Sequence, residues 1–213
     1  MVIIMRQFLL AISTYIFPIF ATPLLIWLWW KIAGGQWSLV ALVMLVPVLF
    51  GYFTAFVATR VVKRWRMTTG PRIGGAYVHH GFIYASKMAF VLLLITRDPM
   101  AIRIWFDWMS VALLSGAATA FGGWWHDLLA IRAGKIEFTG LGASAAERAL
   151  ASFAPPTYFA VGATYGVATI IGWQLVVEQP GLFPWVFAGA LAALVIVPTI
   201  VYFALDSSNR IAR

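Results

Sequence analysis

Six segments of this chain are each long and apolar enough to cross a lipid bilayer. A hydrocarbon core about 30 Å thick requires roughly 20 mainly apolar residues in a helix, and hydropathy finds such stretches repeatedly along the 213 residues. The sequence therefore predicts an all-α integral membrane protein, built as a single bundle of six transmembrane helices. The predicted spans lie at about 8–31, 38–59, 75–96, 103–125, 157–178 and 184–205.

Composition supports this class of protein. Charged residues make up 10% of the chain and apolar residues 62%, whereas a soluble domain carries about 25% charged residues. The predicted connections are short except for 126–156, so the sequence predicts one transmembrane domain and no second soluble domain. Cysteine is absent, which excludes disulfides, thiol catalysis and iron–sulfur clusters as functions of this chain.

The net charge of +8 follows the positive-inside pattern, because basic residues concentrate in alternate loops. This pattern predicts that both termini are cytoplasmic and that the protein resides in the plasma membrane, the inner membrane of a bacterium. It favours anionic lipid headgroups as partners, with Arg64, Arg66 and Arg72 as contacts, over nucleic acid. The basic positions on that side are Arg60, Lys63, Arg64, Arg66, Arg72, Arg132, Lys135, Arg148, Arg210 and Arg213.

Lys87 falls near the middle of the third predicted span, where a charged side chain costs several kcal/mol unless it is paired, hydrated or functional. On a helix, Tyr77, His80, Tyr84 and Lys87 lie along one side. We expect this polar stripe to face the bundle interior, a cavity or another subunit rather than lipid. A lysine that snorkels to the interface, with interfacial histidines beside it, is the alternative interpretation.

Asp107 is the candidate ion-pair partner of Lys87. It is the only carboxylate placed inside a predicted span rather than at its last residue, about one turn from the non-cytoplasmic end of the fourth span, and the third and fourth spans are antiparallel neighbours joined by a tight turn. The sequence equally allows Asp107 to be an interface residue, since it lies between Trp105 and Trp108.

The three histidines suggest a second chemistry. His79 and His80 enter the third span from the basic side, and His126 leaves the fourth span on that same side. Facing imidazoles at one level can ligate a b-type haem or a metal, with Asp127 as a hydrogen-bond acceptor behind them. No metal-binding motif supports this hypothesis, so the sequence predicts no cofactor and keeps haem b as an alternative.

The loop 126–156 is the one connection with room for further structure. The fourth helix is expected to continue past its span and to end at Gly134, followed by an extended segment. Ser144 and Glu147 have the spacing of a capping box, which predicts a short amphipathic interfacial helix that Pro155 ends. Small residues at four-residue spacing in the last three spans predict close helix packing, within the bundle or against a partner chain. They are Ala112, Gly116 and Ala120, Gly162 and Gly166, and Gly189 and Ala193.

Three functional hypotheses follow. The first is a non-enzymatic membrane subunit that anchors or scaffolds a larger complex, because the chain has little mass outside lipid and shows no catalytic motif. The second is a small oligomeric transporter or channel that uses the stripe of His80, Tyr84 and Lys87. The third is a redox anchor that binds haem b or a quinone through its histidines. The first two predict association with other membrane subunits or with further copies of this chain.

Overall fold

The structure, a computed structural model, describes the backbone of residues 2–211 and the side chains of Met5 and of residues 7–205. Arg210 and Arg213, which contribute to the predicted charge pattern, lie outside the described side chains. Within the described range the fold is all-α, with only short strands between helices. The helices are α1 (Val2–Ala11), α2 (Phe17–Ile32), α3 (Trp37–Phe56), α4 (His80–Ile95), α5 (Trp105–Arg132), α6 (Ala143–Glu178) and α7 (Phe183–Ile211).

Among the residues that the structure describes, four helical segments are long and apolar enough to cross a membrane: Gln7–Ile32, Trp37–Val61, Ala143–Glu178 and Pro180–Leu205. The membrane class predicted from the sequence is therefore supported. The helices at the other two predicted spans differ from these four. α4 is apolar but only 16 residues long, and α5 has 28 residues, with Asp, His, Gly, Ser and Trp side chains that lower its hydropathy.

The first helical rod contains a π-helical segment, Ile12–Ile16, that joins α1 to α2. Pro18 explains why the regular hydrogen bonding changes here, because proline has no N–H to give to the carbonyl four residues earlier. That carbonyl belongs to Thr14, and it instead lies 2.9 Å from Nε2 of His79. The chain thus exchanges a helical hydrogen bond for one between helices. A second π-helical segment, Val57–Val61, extends α3.

The prediction of a separate interfacial helix is wrong. Residues 143–154 are the first turns of α6, which runs unbroken for 36 residues through Pro155 and Pro156. Its N-cap is Gly142, without a side-chain capping hydrogen bond, so the predicted capping box does not form. Tertiary packing explains the continuity, since Leu150 and Ala154 are each 1% exposed in a core under the strands. Prolines are tolerated in such helices when packing compensates for the lost hydrogen bonds.

The strands bring the two basic loops together at one end of the bundle. β1 (Trp65–Met67) pairs antiparallel with β4 (Ile136–Phe138), while β2 (Arg72–Ile73) and β3 (Ala76–Tyr77) form a small hairpin. The extended segment and the α5 terminus predicted from the sequence are confirmed. Gly134 has a positive φ of 65°, and its N–H bonds the carbonyl of Ile131 as in a glycine C-cap.

Helix α5 packs most extensively on α6, and α4 packs on α3. Glycines form the α5–α6 seam: Gly116 lies against Phe159 and Gly123 against the ring of Tyr158, while Gly162 faces Thr119. Helix backbones approach closely at such positions because no side chain intervenes. The internal packing predicted for these small-residue stripes is confirmed on α5 and α6. It is not found at Gly189 of α7, where an added Cβ would meet open space.

Candidate functional site

A cavity of about 90 Å³ lies between α4 and α5, close to the end of the bundle that carries the strands. Tyr158 of α6 and Met67 of β1 also line it, so residues of four elements form its walls. A water molecule needs about 10–15 Å³ of such space together with polar partners, so the cavity has room for a few waters. Its lining is Met67, His80, Ile83, Tyr84, Lys87, Met88, Val91, Ala118, Thr119, Gly122, Gly123, His126, Asp127 and Tyr158.

Helix α4 supplies three polar side chains to this cavity. His80, Tyr84 and Lys87 are spaced by four and three residues, so they share one face of the helix, and all three line the cavity. Three of the four residues of the predicted polar stripe therefore lie together on one face of α4 at the cavity. Lys87 is half-buried, and its Nζ lies 3.3 Å from Nδ1 of His126 on α5.

His126 connects the cavity to the first helical rod. Its Nδ1 also lies 2.9 Å from Oγ of Ser13, which belongs to the π-helical segment. A neutral imidazole has one donor and one acceptor nitrogen. Since Lys87 can only donate, this Nδ1 accepts from Lys87, and it can accept from the Ser13 hydroxyl as well. Short π-helical segments occur frequently at functional sites.

Asp127 and Tyr158 form the second polar pair of the site. The Tyr158 hydroxyl donates to Oδ2 of Asp127, and the hydroxyl of Tyr84 lies beside that of Tyr158. Asp127 and Lys87 carry opposite charges and line the same cavity. Among the described side chains, however, no salt bridge of 4 Å or less joins them. The two oppositely charged side chains therefore line the same cavity without forming a direct ion pair across it.

His80 has an unpaired polar atom beside the cavity. Its ring is 7% exposed and packs against Trp65 and Tyr84, with centroid separations of 6.0 and 5.5 Å. Its Nδ1 is buried and has no hydrogen-bond partner among the described atoms. Leaving a buried nitrogen unpaired is unfavourable, and most such groups in proteins are satisfied. A water or ligand in the cavity would satisfy it.

The other predicted site residues lie elsewhere. Tyr77 belongs to β3 rather than to the α4 face, because α4 begins only at His80; its ring contacts Tyr15 and stacks on His79. Burial raises the pKa of Tyr77 to about 12, so its phenol stays neutral at physiological pH. His79 turns towards α1 and α2, through its contact with Thr14.

Asp107 does not enter the cavity of Lys87. It lies in the first turn of α5, where Oδ2 accepts the backbone N–H groups of Arg103 and Ile104. These groups are left without partners at a helix start, and a carboxylate there is favoured by the helix dipole. The carboxylate that does line the cavity is Asp127, from the other end of the same helix.

The predicted haem or metal ligands are divided by the fold. His80 and His126 line one cavity, while His79 lies outside it. Within the described residues, no group of three or more His, Cys, Asp or Glu side chains is arranged to hold a metal ion.

The predicted lipid-contact arginines lie around the strands. Arg66 forms an exposed salt bridge to Glu137, in which Nε and Nη2 both donate to Oε2, at 3.0 and 2.8 Å. Arg72 donates to the carbonyl of Met67 at 2.6 Å, and the backbone carbonyl of Arg64 accepts from Thr139. All three are therefore near the β1–β4 end, and their contact with lipid headgroups stays a prediction.

Two residues of the site were missed by the sequence analysis. Ser13 is an ordinary polar residue inside an apolar helix, and only Pro18, four residues after Thr14, signals that the backbone changes there. Tyr158 follows Pro155, which was expected to end a helix and instead lies within α6. No protein family, curated protein or solved structure was found that matches the chain.

Proposed function

We propose that the chain is a small membrane transporter or channel in which the cavity around Lys87 forms a proton-linked path. The observation that carries this proposal is the cavity itself, where side chains from α4, α5 and α6 place Lys87, His126, Asp127 and Tyr158 around one space. Ionisable residues within a bundle are expensive to bury and commonly mark ion or proton pathways.

We further propose that α4 and α5 cross the bilayer together with the four longer segments, giving six spans with both termini on the cytoplasmic side. The β1–β4 pair supports this arrangement, because it gathers the basic loops at one end of the bundle. The two helices least suited to lipid by length or hydropathy, α4 and α5, contribute most of the residues that line the cavity. That is the expected position for helices whose polar faces avoid lipid.

The polar groups form short connected sets that suit proton movement. Ser13, His126 and Lys87 are joined by contacts of 2.9 and 3.3 Å, and Tyr158 donates to Asp127 across the α5–α6 seam. Water in the cavity would connect the two sets, since it needs only the polar partners already present. Lys87 and Asp127 line this cavity without a salt bridge between them among the described side chains, which favours a water bridge.

Proton flux into liposomes tests this proposal. Purified protein is reconstituted with a trapped pH-sensitive dye, and a potassium gradient with valinomycin drives protons inward. We expect flux above that of empty liposomes, lost in Lys87→Met and in Asp127→Asn. Lys31→Met is the matched control, because Lys31 is exposed at the end of α2 and lies over Trp30. Flux that is absent in the wild type, or unchanged in Lys87→Met, would refute the proposal.

A membrane subunit that anchors a larger complex is the second candidate function. The favouring observation is α7, since in its most apolar 18-residue window only 17% of residues are buried, against 56% for Trp37–Val61. Gly189 lies open on this helix, and small residues allow close approach of a neighbouring helix. Native mass spectrometry after gentle solubilisation would reveal other chains or further copies. An absorption spectrum of the same sample tests the haem b hypothesis through the Soret band.

A further inference from the structure

The cavity has a polar end and an apolar end. Helices α4 and α5 run antiparallel, and Lys87 of α4 lies opposite His126 of α5. Val91, which follows Lys87 on α4, therefore lies at the same end of the cavity as Gly122 and Ala118, which precede His126 on α5. The ionisable groups thus lie near the strands, while Val91, Ala118 and Gly122 lie deeper in the proposed span. This gradient matches a molecule with a polar head and a hydrocarbon tail.

The apolar end opens on the flank of the bundle. Ala118 lines the cavity and is exposed, and Val91 and Gly122 keep part of their surface exposed. An added Cβ on Gly122 would meet no atom within 4 Å, in contrast to the neighbouring Gly123, which would press on the ring of Tyr158. In a bilayer this opening faces lipid tails, so the tail of a bound molecule can remain in the membrane.

The polar end offers hydrogen-bond donors to a small acceptor group. An ammonium has three N–H donors, and among the described residues one hydrogen-bond partner of Lys87 is found, His126. Oδ2 of Asp127 already accepts from Tyr158, and Lys87 is the one lysine or arginine among the described residues that line the cavity. About 90 Å³ suits a head of a few heavy atoms. A carboxyl group fits this space and forms charge-assisted hydrogen bonds with an ammonium.

We propose that the cavity binds a single-chain amphiphile with a carboxylic acid head, of the long-chain fatty acid class, which enters sideways from the bilayer between α4 and α5. The proposal rests on the proposed function, because it names the substrate class of the same site. The acid brings its own proton, so the opposite charges of Lys87 and Asp127 stay balanced. That balance holds whether the proton remains on the head or passes to the Asp127 carboxylate as the head becomes a carboxylate beside Lys87.

Photo-crosslinking in proteoliposomes tests this inference. The probe is a long-chain fatty acid that carries a mid-chain diazirine and a terminal alkyne, and the labelled peptides are mapped by mass spectrometry. We expect label on α4 and α5 near Val91 and Gly122. An unlabelled fatty acid should compete, and the alcohol of the same chain length should compete about tenfold less well, as expected for the loss of a charge-assisted hydrogen bond. Label spread evenly over α7, or equal competition by the alcohol, would overturn the proposal.

Two matched substitutions sharpen the test. Gly122→Phe fills the opening of the cavity on the flank of the bundle without a clash at Cβ, and it should reduce labelling about tenfold. Gly189 on α7 is equally open, and Gly189→Phe should leave labelling unchanged. If Gly122→Phe fails to assemble, Gly122→Leu and the competition series in the wild type still decide. Proton flux is measured in a parallel preparation of proteoliposomes to which no fatty acid is added. Flux without site-specific label refutes the fatty acid proposal alone, and label without flux refutes the proposed function.

Discussion

Lys87 shows how a charge within an apolar helix is accommodated in this protein. Its ammonium contacts His126 and shares a cavity with Asp127 instead of reaching Asp107, which serves the start of α5. Tyr158 holds Asp127 from the far side of the α5–α6 seam. Each charged group of the site is therefore supported by a neutral hydrogen-bonding residue on another helix.

Tyr158→Phe tests this support. The substitution removes the hydroxyl that donates to Asp127 and leaves a carboxylate short of one partner, which costs about 1–3 kcal/mol. We expect a clear fall in the apparent Tm of the detergent-solubilised protein and a loss of proton flux. Tyr52→Phe is the control, because its hydroxyl donates to the Val78 carbonyl at 2.5 Å in a more exposed setting. Equal shifts in the two variants would contradict a special role for Tyr158.

At the scale of elements, the α5–α6 seam fixes the geometry of the site. Asp127 and Tyr158 come from its two sides, and the glycines between them set the distance. An added Cβ on Gly162 would lie 2.5 Å from Oγ1 of Thr119 and would also press on the backbone of Ser115. The seam therefore has no room for a larger residue at this position.

Gly162→Ala should destabilise the bundle for this reason. Overpacking of this kind costs about 1–3 kcal/mol, and it separates the two helices that hold the site. The expected result is a lower apparent Tm and a larger aggregated fraction in size-exclusion chromatography. Gly189→Ala should behave as the wild type, since its Cβ would meet nothing within 4 Å. A neutral Gly162→Ala would show that the seam is looser than described.

The sequence predicted the helical class and the face of α4, because apolar length and the spacing of His80, Tyr84 and Lys87 are local signals. It placed Tyr77 on that face wrongly, because the chain turns through β2 and β3 before α4 begins. Pro155 was expected to end a helix, yet the packing of Leu150 and Ala154 stabilises α6 through Pro155 and Pro156. Ser13 and Tyr158 could not be predicted, since their roles depend on contacts between residues far apart in the chain.

At the scale of the whole molecule, the proposed orientation assigns each loop to one side of the membrane. The chain has no native cysteine, so single cysteines report topology directly. Ser144→Cys lies at the end with the strands, and Arg97→Cys and Gln179→Cys lie in the connections at the opposite ends of α4 and α6; all three positions are exposed. An impermeant maleimide applied to intact cells should label Arg97→Cys and Gln179→Cys and should spare Ser144→Cys until the cells are opened. The reverse pattern would invert the proposed topology.

The measurement that bears most directly on the cavity is the reactivity of Lys87→Cys towards a small, charged methanethiosulfonate reagent in proteoliposomes. Such reagents react with the thiolate, which forms where water reaches the sulfur. We predict that Lys87→Cys is modified from the aqueous phase, while Leu42→Cys, whose position is 0% exposed in the core, is not. A Lys87→Cys as unreactive as Leu42→Cys would mean that the site is dry, and it would contradict a proton-linked path through this cavity.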